Sequence, residues 1–249
     1  YIVELGIKAG WGFRDARYGG RMSAASLRGG VAVFALILLL PVVATAQPDA
    51  VAAYEATIRP LSPSQRAILV ENRHWQPGCP VPMSRLRVLT VRHWDFAGAS
   101  RTGQLIVNAD VARPLRDVFG RLYELRFPIR HLRLDIYRKG AALPKHGNYS
   151  GSFECRQSVP SPCVGGNASG RWSNHAYGHA IDLNPVENPY VGCGTVRGPT
   201  RARYFERATL YRGMVTPAVV RAFASIGWGW GGSWTGDTKD YMHFSTTGG

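Results

Sequence analysis

Two short stretches concentrate the side chains that could perform chemistry. In Ser173-Asn-His175-Ala-Tyr-Gly178-His179-Ala180-Ile-Asp182 a histidine and an aspartate lie seven residues apart, and in Asp240-Tyr-Met-His243 an acid precedes a second histidine by three. Two imidazoles and one carboxylate form the ligand set of an open zinc site that keeps a fourth position for water. A further carboxylate, outside the ligand set, can take the proton from that water. On this pattern His175, Asp182 and His243 are the candidate metal ligands and Asp240 is the candidate base. His175 and His179 also stand four apart, as in a helical zincin pair. That motif needs Glu directly after the first His, and here Ala176 stands there, with Gly178 inside the would-be helix. His179 is therefore a surface or supporting group. Asp182 could merely cap the turn before Asn184-Pro185; the separate Asp-x-x-His pair tips the balance toward a metal. His74, His93, His131 and His146 are scattered.

These side chains need particular elements to bring them together. Ala180 to Leu183 reads as a strand, entered sharply at Gly178 from the turn that bears His175, and Tyr241 to Ser245 reads as a second strand. On the latter, Met242 and Phe244 share one face and His243 takes the other. If the two strands are neighbours, Asp182 and His243 converge on one point, with Asp240 approaching from the solvent side. Upstream, Leu86 to Val91 predicts a strand. Asn108 or Asp110 would cap a helix whose Val111, Leu115, Val118, Phe119 and Leu122 follow the helical period and which must end before Pro128. Leu132, Leu134 and Ile136 alternate as a strand, and a Gly-, Ser- and Pro-rich stretch from 139 to 172 is longer than an ordinary connection. Thr216-Pro217 opens a helix with Val219, Val220, Phe223 and Ile226 on its buried face, and Gly227 stops it. Of the glycine-spaced Trp228, Trp230 and Trp234, at least two are expected in the core or its turns. No repeat or linker divides 65–249, which reads as one α+β domain.

Composition bounds the setting. The 249 residues carry 30 Lys plus Arg against 16 Asp plus Glu, a formal charge of +14, with 45% hydrophobic and 18% charged residues. That excludes a disordered chain, a collagen and a small disulfide knot. Arg28, the apolar run from Gly29 to Ala46 and the final Ala44-Thr45-Ala46 form the charged, apolar and small-residue regions of a secretory signal. The run from Val31 to Val43, broken by Pro41, is short of the roughly 20 residues a membrane span needs. The expected organisation is an over-extended gene start at 1–21, a signal peptide at 22–46, a leader at 47–64 and the domain at 65–249. A secreted, periplasmic or wall-associated chain results, with no stable membrane span after cleavage. Its positive charge then suits an anionic cell wall better than nucleic acid, for which no recognition motif is visible. All four cysteines (Cys79, Cys155, Cys163, Cys193) follow the signal, as suits an oxidising compartment. Three pairings are open, and Cys155 with Cys163 would close a short loop.

The pattern Ser-x-His-x-x-Gly-x-Ala-x-Asp at 173–182 followed by Asp-x-x-His at 240–243 resembles the zinc D-Ala-D-Ala carboxypeptidase and L-alanyl-D-glutamate endopeptidase family. These are the VanY-like peptidases, which share a fold with the Hedgehog signalling domain, and the likeness is greatest to the endolysin-type branch. It extends to Gly78-Cys-Pro-Val-Pro, Phe127-Pro-Ile, Ser152-Phe-Glu-Cys-Arg156, the run from Asp182 to Tyr190, and Gly227-Trp-Gly-Trp-Gly-Gly. The resemblance implies a central antiparallel sheet flanked by helices, with zinc on His175, Asp182 and His243 and Asp240 as catalytic base. Many relatives carry Glu where Asp240 stands. It further implies that Arg156 holds a carbonyl or carboxylate of the substrate, a role its charged, fork-shaped guanidinium suits, with Ser152 and Ser173 as accompanying substrate contacts. The expected activity is hydrolysis of peptide bonds in peptidoglycan stem peptides. A zinc-containing binding module without catalysis is the alternative, and the extra acid at Asp240 speaks against it.

Overall fold

The computed structural model describes residues 53–140, 147–158, 163, 170–196 and 203–248, and residues 49–249 form one compact unit. Both the expected gene start and the signal peptide lie outside the described residues.

Three strands form an antiparallel meander: β1 (Ala56–Pro60), β2 (Leu86–Trp94) and β3 (Ser100–Asn108), in that spatial order. The register sets Ile58 opposite Leu89, and Leu89 opposite Leu105. Alternate residues of a strand face opposite sides of its sheet, and both sides of this one are covered. Leu89, Val91, Leu105 and Val107 face the main core, whereas Leu86, Val88 and Ile106 pack with Leu69, Val81, Tyr137 and Phe153. Helix α1 (Pro63–Glu71) supplies Leu69 to the second layer. Its start is a capping box, in which the Ser62 hydroxyl accepts from the Gln65 amide and the Gln65 side chain accepts from the Ser62 amide.

Helix α2 (Ala112–Glu124) lies on the main core with Leu115, Val118, Phe119 and Leu122 buried, as their spacing predicts. Its cap differs from the expectation. Val111 is the N-cap and gives no side-chain bond. Asn108 instead donates to the Tyr177 carbonyl at 3.0 Å, and Asp110 meets His179 at 3.0 Å. Both polar candidates are drawn to the turn that carries His175. Helix α3 (Pro217–Ala224) starts as expected, with Thr216 accepting from the Val219 amide, and it ends just before Gly227, at φ 79°.

The remaining strands are short. β4 (Ala180–Asp182), β9 (His243–Ser245) and β7 (Gly229–Trp230) form one small sheet in the order β4-β9-β7. β6 (Thr195–Val196), β5 (Tyr190–Gly192) and β8 (Lys239–Asp240) form another, in the order β6-β5-β8. Among the described residues the α+β architecture comprises three small antiparallel sheets and three α-helices. Phe244 of β9 stacks on Phe223 of α3 with centroids 4.0 Å apart, which joins the second sheet to the main core.

Three expectations are corrected. The described part of the expected leader at 47–64 belongs to the domain, because β1 within it is the edge strand of the first sheet and Leu61 is buried. A half-exposed edge strand carries little hydrophobic signal, so its composition resembles a linker. Residues 134–137 form a 3-10 turn and not a strand, with the Tyr137 hydroxyl donating to the Phe153 carbonyl at 2.7 Å; three alternating residues suit either form. Tyr241 to Ser245 is not one strand, since the chain turns at Tyr241 and Met242 and passes from one sheet to the other.

The segment after β4 ties distant loops of the domain together. Asn184 is fully buried at φ 44°, a left-handed conformation Asn tolerates better than most residues. Its side chain accepts from the Arg130 amide at 2.9 Å and donates to the Pro128 and Gly213 carbonyls at 2.8 and 3.0 Å. Asn188 similarly donates to the Leu183 and Gly213 carbonyls and accepts from the Val215 amide. Buried Glu187 takes Arg130 at 2.9 Å and Asn148 at 2.7 Å. Asn184→Ala strands the Arg130 amide and the Pro128 carbonyl without partners and puts alanine at a positive φ. A loss of about 3 kcal/mol is expected, read as a lower denaturant midpoint; a midpoint equal to wild type would show that this network does not hold the fold.

Candidate metal centre

His175 sits on a 3-10 turn, Asn174–Tyr177, that local chemistry builds at both ends. The Ser173 hydroxyl accepts from the His175 amide at 3.3 Å, and Gly178 leaves the turn at φ 68°. A side chain at Gly178 would be strained by that φ, and its Cβ would lie 2.7 Å from the Asn108 backbone nitrogen. Glycine is required here because the turn presses against the end of β3.

The next residues enter β4, whose pairing with β9 places Asp182 directly opposite His243. Three ligand atoms then converge. His175 Nε2 lies 3.2 Å from His243 Nδ1 and 3.3 Å from an Asp182 oxygen, and His243 Nδ1 lies 3.1 Å from the other. The far nitrogen of His175, Nδ1, faces the Ser152 carbonyl at 2.6 Å. A carbonyl can only accept, so Nδ1 carries the proton and Nε2 presents its lone pair to the cluster.

This donor set fits a divalent metal. Zinc bonds of about 2.0–2.1 Å in a tetrahedron place ligand atoms roughly 3.3 Å apart, the separation these three groups already keep. Two nitrogens and an oxygen suit zinc among the common cations.

Asp182 and His175 shift each other's protonation. Burial alone would raise Asp182, but His175 and then His243 hold its carboxyl well below the usual range. Burial alone would lower His175, yet the charge and hydrogen bond of Asp182 outweigh it and raise its pKa. Asp240 stands beside the cluster on β8, paired across to Tyr190. Burial first, and the Asp182 charge second, push its carboxyl up to about 8. One of its oxygens, Oδ1, is buried with no partner among the described residues. Gly231 makes room for it, since a Cβ there would meet the Asp240 carbonyl oxygen at 2.6 Å.

Arg156 pairs with Glu154 at 3.3 Å, and its charge reaches both Asp240 and His175, lowering each. Ser152 supplies the carbonyl that orients His175, while its own hydroxyl is buried without a partner among the described residues. Ser173 spends its hydroxyl on the turn. His179 is held by Asp110, away from the ligand atoms. Trp228 belongs to the core, Trp230 bonds the Tyr241 carbonyl, and only Trp234 approaches the cluster, with its ring 6.0 Å from that of His243. His146 lies outside the described residues.

Sequence reading missed the structural duties of the Ser152 carbonyl, Asn108 and Gly231. The first two are backbone or amide contacts made across the fold and leave no motif. Glycine inside a tryptophan-rich run was the available signal for Gly231. The cysteines pair as Cys79–Cys155 and Cys163–Cys193, so the short Cys155–Cys163 loop is not formed. The first bridge anchors the segment bearing Ser152 and Arg156, and the second anchors the turn after β5, the strand that pairs with β8.

Proton linkage gives a test. Asp240 and His175 both hold protons more tightly in the folded, metal-free chain than when unfolded. The stability they contribute is full below their unfolded values, 3.8 and 6.5, and is lost as pH rises through the folded ones, about 8 for Asp240. A bound cation needs deprotonated ligands and replaces those protons. The melting temperature lost on chelation should therefore grow from pH 5 to pH 8 and vanish in His175→Ala. Melting temperatures indifferent to chelator at every pH would exclude a metal at this cluster.

Residues 167–246 match the family model described as D-alanyl-D-alanine carboxypeptidase, a span that holds His175, Asp182, Asp240 and His243. Neither curated proteins nor solved structures yielded a match. The match supports a peptidase of metallohydrolase type for the part of the chain that carries the cluster.

Proposed function

We propose that the protein is an exported zinc metallopeptidase that hydrolyses peptide bonds in peptidoglycan stem peptides, either as a D-Ala-D-Ala carboxypeptidase or as an L-Ala-D-Glu endopeptidase. One observation carries the reading: a buried carboxylate, Asp240, stands beside a His-Asp-His cluster without belonging to it. A purely structural metal site has no use for a fourth, uncommitted acid held at the edge of ionisation. When bound, zinc would polarise the scissile carbonyl and acidify a water.

The chain's own groups divide the remaining work. Asp240 Oδ1 is open to accept a proton and, from the same buried position, to return it to the leaving amine. A carboxyl pushed up to about 8 in the metal-free site is drawn back toward ionisation by a nearby divalent charge, which leaves it a base near neutral pH. The Ser152 carbonyl holds the His175 imidazole in orientation through its far nitrogen. Arg156, fixed in the Cys79–Cys155 segment and always charged, is placed to receive a substrate carboxylate or carbonyl oxygen. The unpartnered Ser152 hydroxyl is a second polar contact for the same group. The net positive charge favours residence on an anionic wall.

The alternative is a Hedgehog-like module that keeps zinc and binds a partner without catalysis. Asp240→Asn separates the two readings. It should keep about one equivalent of zinc while hydrolysis of purified muropeptides falls by about 10²–10⁴-fold. Mass spectrometry of the digest then identifies the bond. Turnover equal to wild type in this variant would remove Asp240 from the mechanism, and absence of turnover in the zinc-loaded wild type would favour the binding module.

A further inference from the structure

Between α1, β3 and the 3-10 turn Leu134–Tyr137 lies a cavity of about 320 Å³ that shares no residue with the metal centre. Its floor is apolar, built from buried Leu69 and Ile106 with Ile68 and Leu134 beside them, and from the ring of Tyr137, whose hydroxyl is committed to Phe153. Its polar groups are of both signs and are incompletely used. Asp135 takes Arg133 on Oδ2, but its Oδ1 is buried with no partner among the described residues. Arg138 has neither an ion pair nor a hydrogen-bonded side-chain partner among them. The Gln104 amide group donates to Thr90, which leaves its oxygen, and the Gln65 oxygen accepts from Ser62, which leaves its NH₂. The lining therefore combines unused acceptors, on Asp135 and Gln104, with unused donors, on Arg138 and Gln65, beside an Arg133 already spent on Asp135.

We propose that this cavity binds a short zwitterionic peptide, with its ammonium on Asp135 Oδ1 and Gln104 and its carboxylate on Arg138 and Gln65. Spacing selects the length. Asp135 and Arg138 are joined by an i to i+3 backbone bond, with the Arg138 amide 2.9 Å from the Asp135 carbonyl. Side chains three apart on such a turn eclipse one another about 6 Å apart along its axis. A two-residue peptide spans about 7 Å. The volume agrees, because it stands at the small end of the ~300–1,000 Å³ typical of ligand sites. Small aliphatic side chains would lie on Ile68, Leu69, Ile106 and Leu134. A simple anion would face the unpaired oxygen of Asp135, and a simple cation would face Arg138, so neither satisfies both ends. The site does not depend on the metal centre being catalytic.

The test is a titration of the full chain, carrying Asp240→Asn so that peptide is not consumed, with L-alanyl-L-alanine, followed by methyl NMR of Ile and Leu. Resonances of Ile68, Leu69, Ile106 and Leu134 should shift together and saturate at roughly millimolar peptide, the range set by so few contact atoms. Asp135→Asn and Arg138→Gln should each weaken binding about 10-fold or more. N-acetyl and C-amide forms of the peptide should do the same on unaltered protein, which keeps the result independent of how the variants fold. Shifts that never saturate, or that are equal for the free and blocked peptides, would overturn the assignment. So would a response confined to residues around His175 and His243.

Discussion

The register between β4 and β9 is the constraint on which the rest of the site depends. Ile181 and Phe244 face each other toward the core, and both are fully buried; Asp182 and His243, the adjacent pair, face the opposite way. Side chains alternate along a strand, so a slip of one residue would turn Phe244 out of the core and His243 into it. The stacking of Phe244 on Phe223 forbids that slip. Hydrophobic burial, which has no interest in metals, thereby fixes a carboxylate and an imidazole within 3.1 Å of each other.

Around that pair, backbone groups set much of the geometry. The Ser152 carbonyl decides which nitrogen of His175 points inward, and the bond between the Gly151 amide and the Asp182 carbonyl ties that segment to β4. The Cys79–Cys155 bridge then secures the same segment from its other end. Asp240 arrives by a different route, on a strand of another sheet, because the chain turns at Tyr241 and Met242. That turn keeps the acid near the cluster and outside its ligand set, the separation that hydrolysis requires and that a strand running straight from 240 to 243 would not provide.

Much was legible before the fold was known, and for physical reasons. His175, Asp182 and His243 were recognisable because few combinations of residue type suit an open metal site. Helices α2 and α3 were recognisable because Leu115, Val118, Phe119 and Leu122, or Thr216-Pro217 with Val219 and Phe223, express helical period and cap chemistry locally. β1 was not, because an edge strand with Ile58 as its main apolar contact looks like a polar linker. The cap of α2 was misjudged because Asn108 and Asp110 had better partners across the fold, in Tyr177 and His179.

The amino-acid sequence by itself determined the chemistry on offer: two imidazoles, a ligand carboxylate, a spare acid and four cysteines, together with helices that local spacing can encode. Tertiary structure alone decided how these were used. It divided the last strand so that Asp240 and His243 belong to different sheets. It paired the cysteines as 79–155 and 163–193, and it set an unpaired Asp135 oxygen above an apolar floor far from any motif. Residue type and short-range spacing travel with the chain, whereas register, cysteine pairing and the burial of a lone carboxylate depend on partners dozens of residues away. Those partners meet only when the core closes.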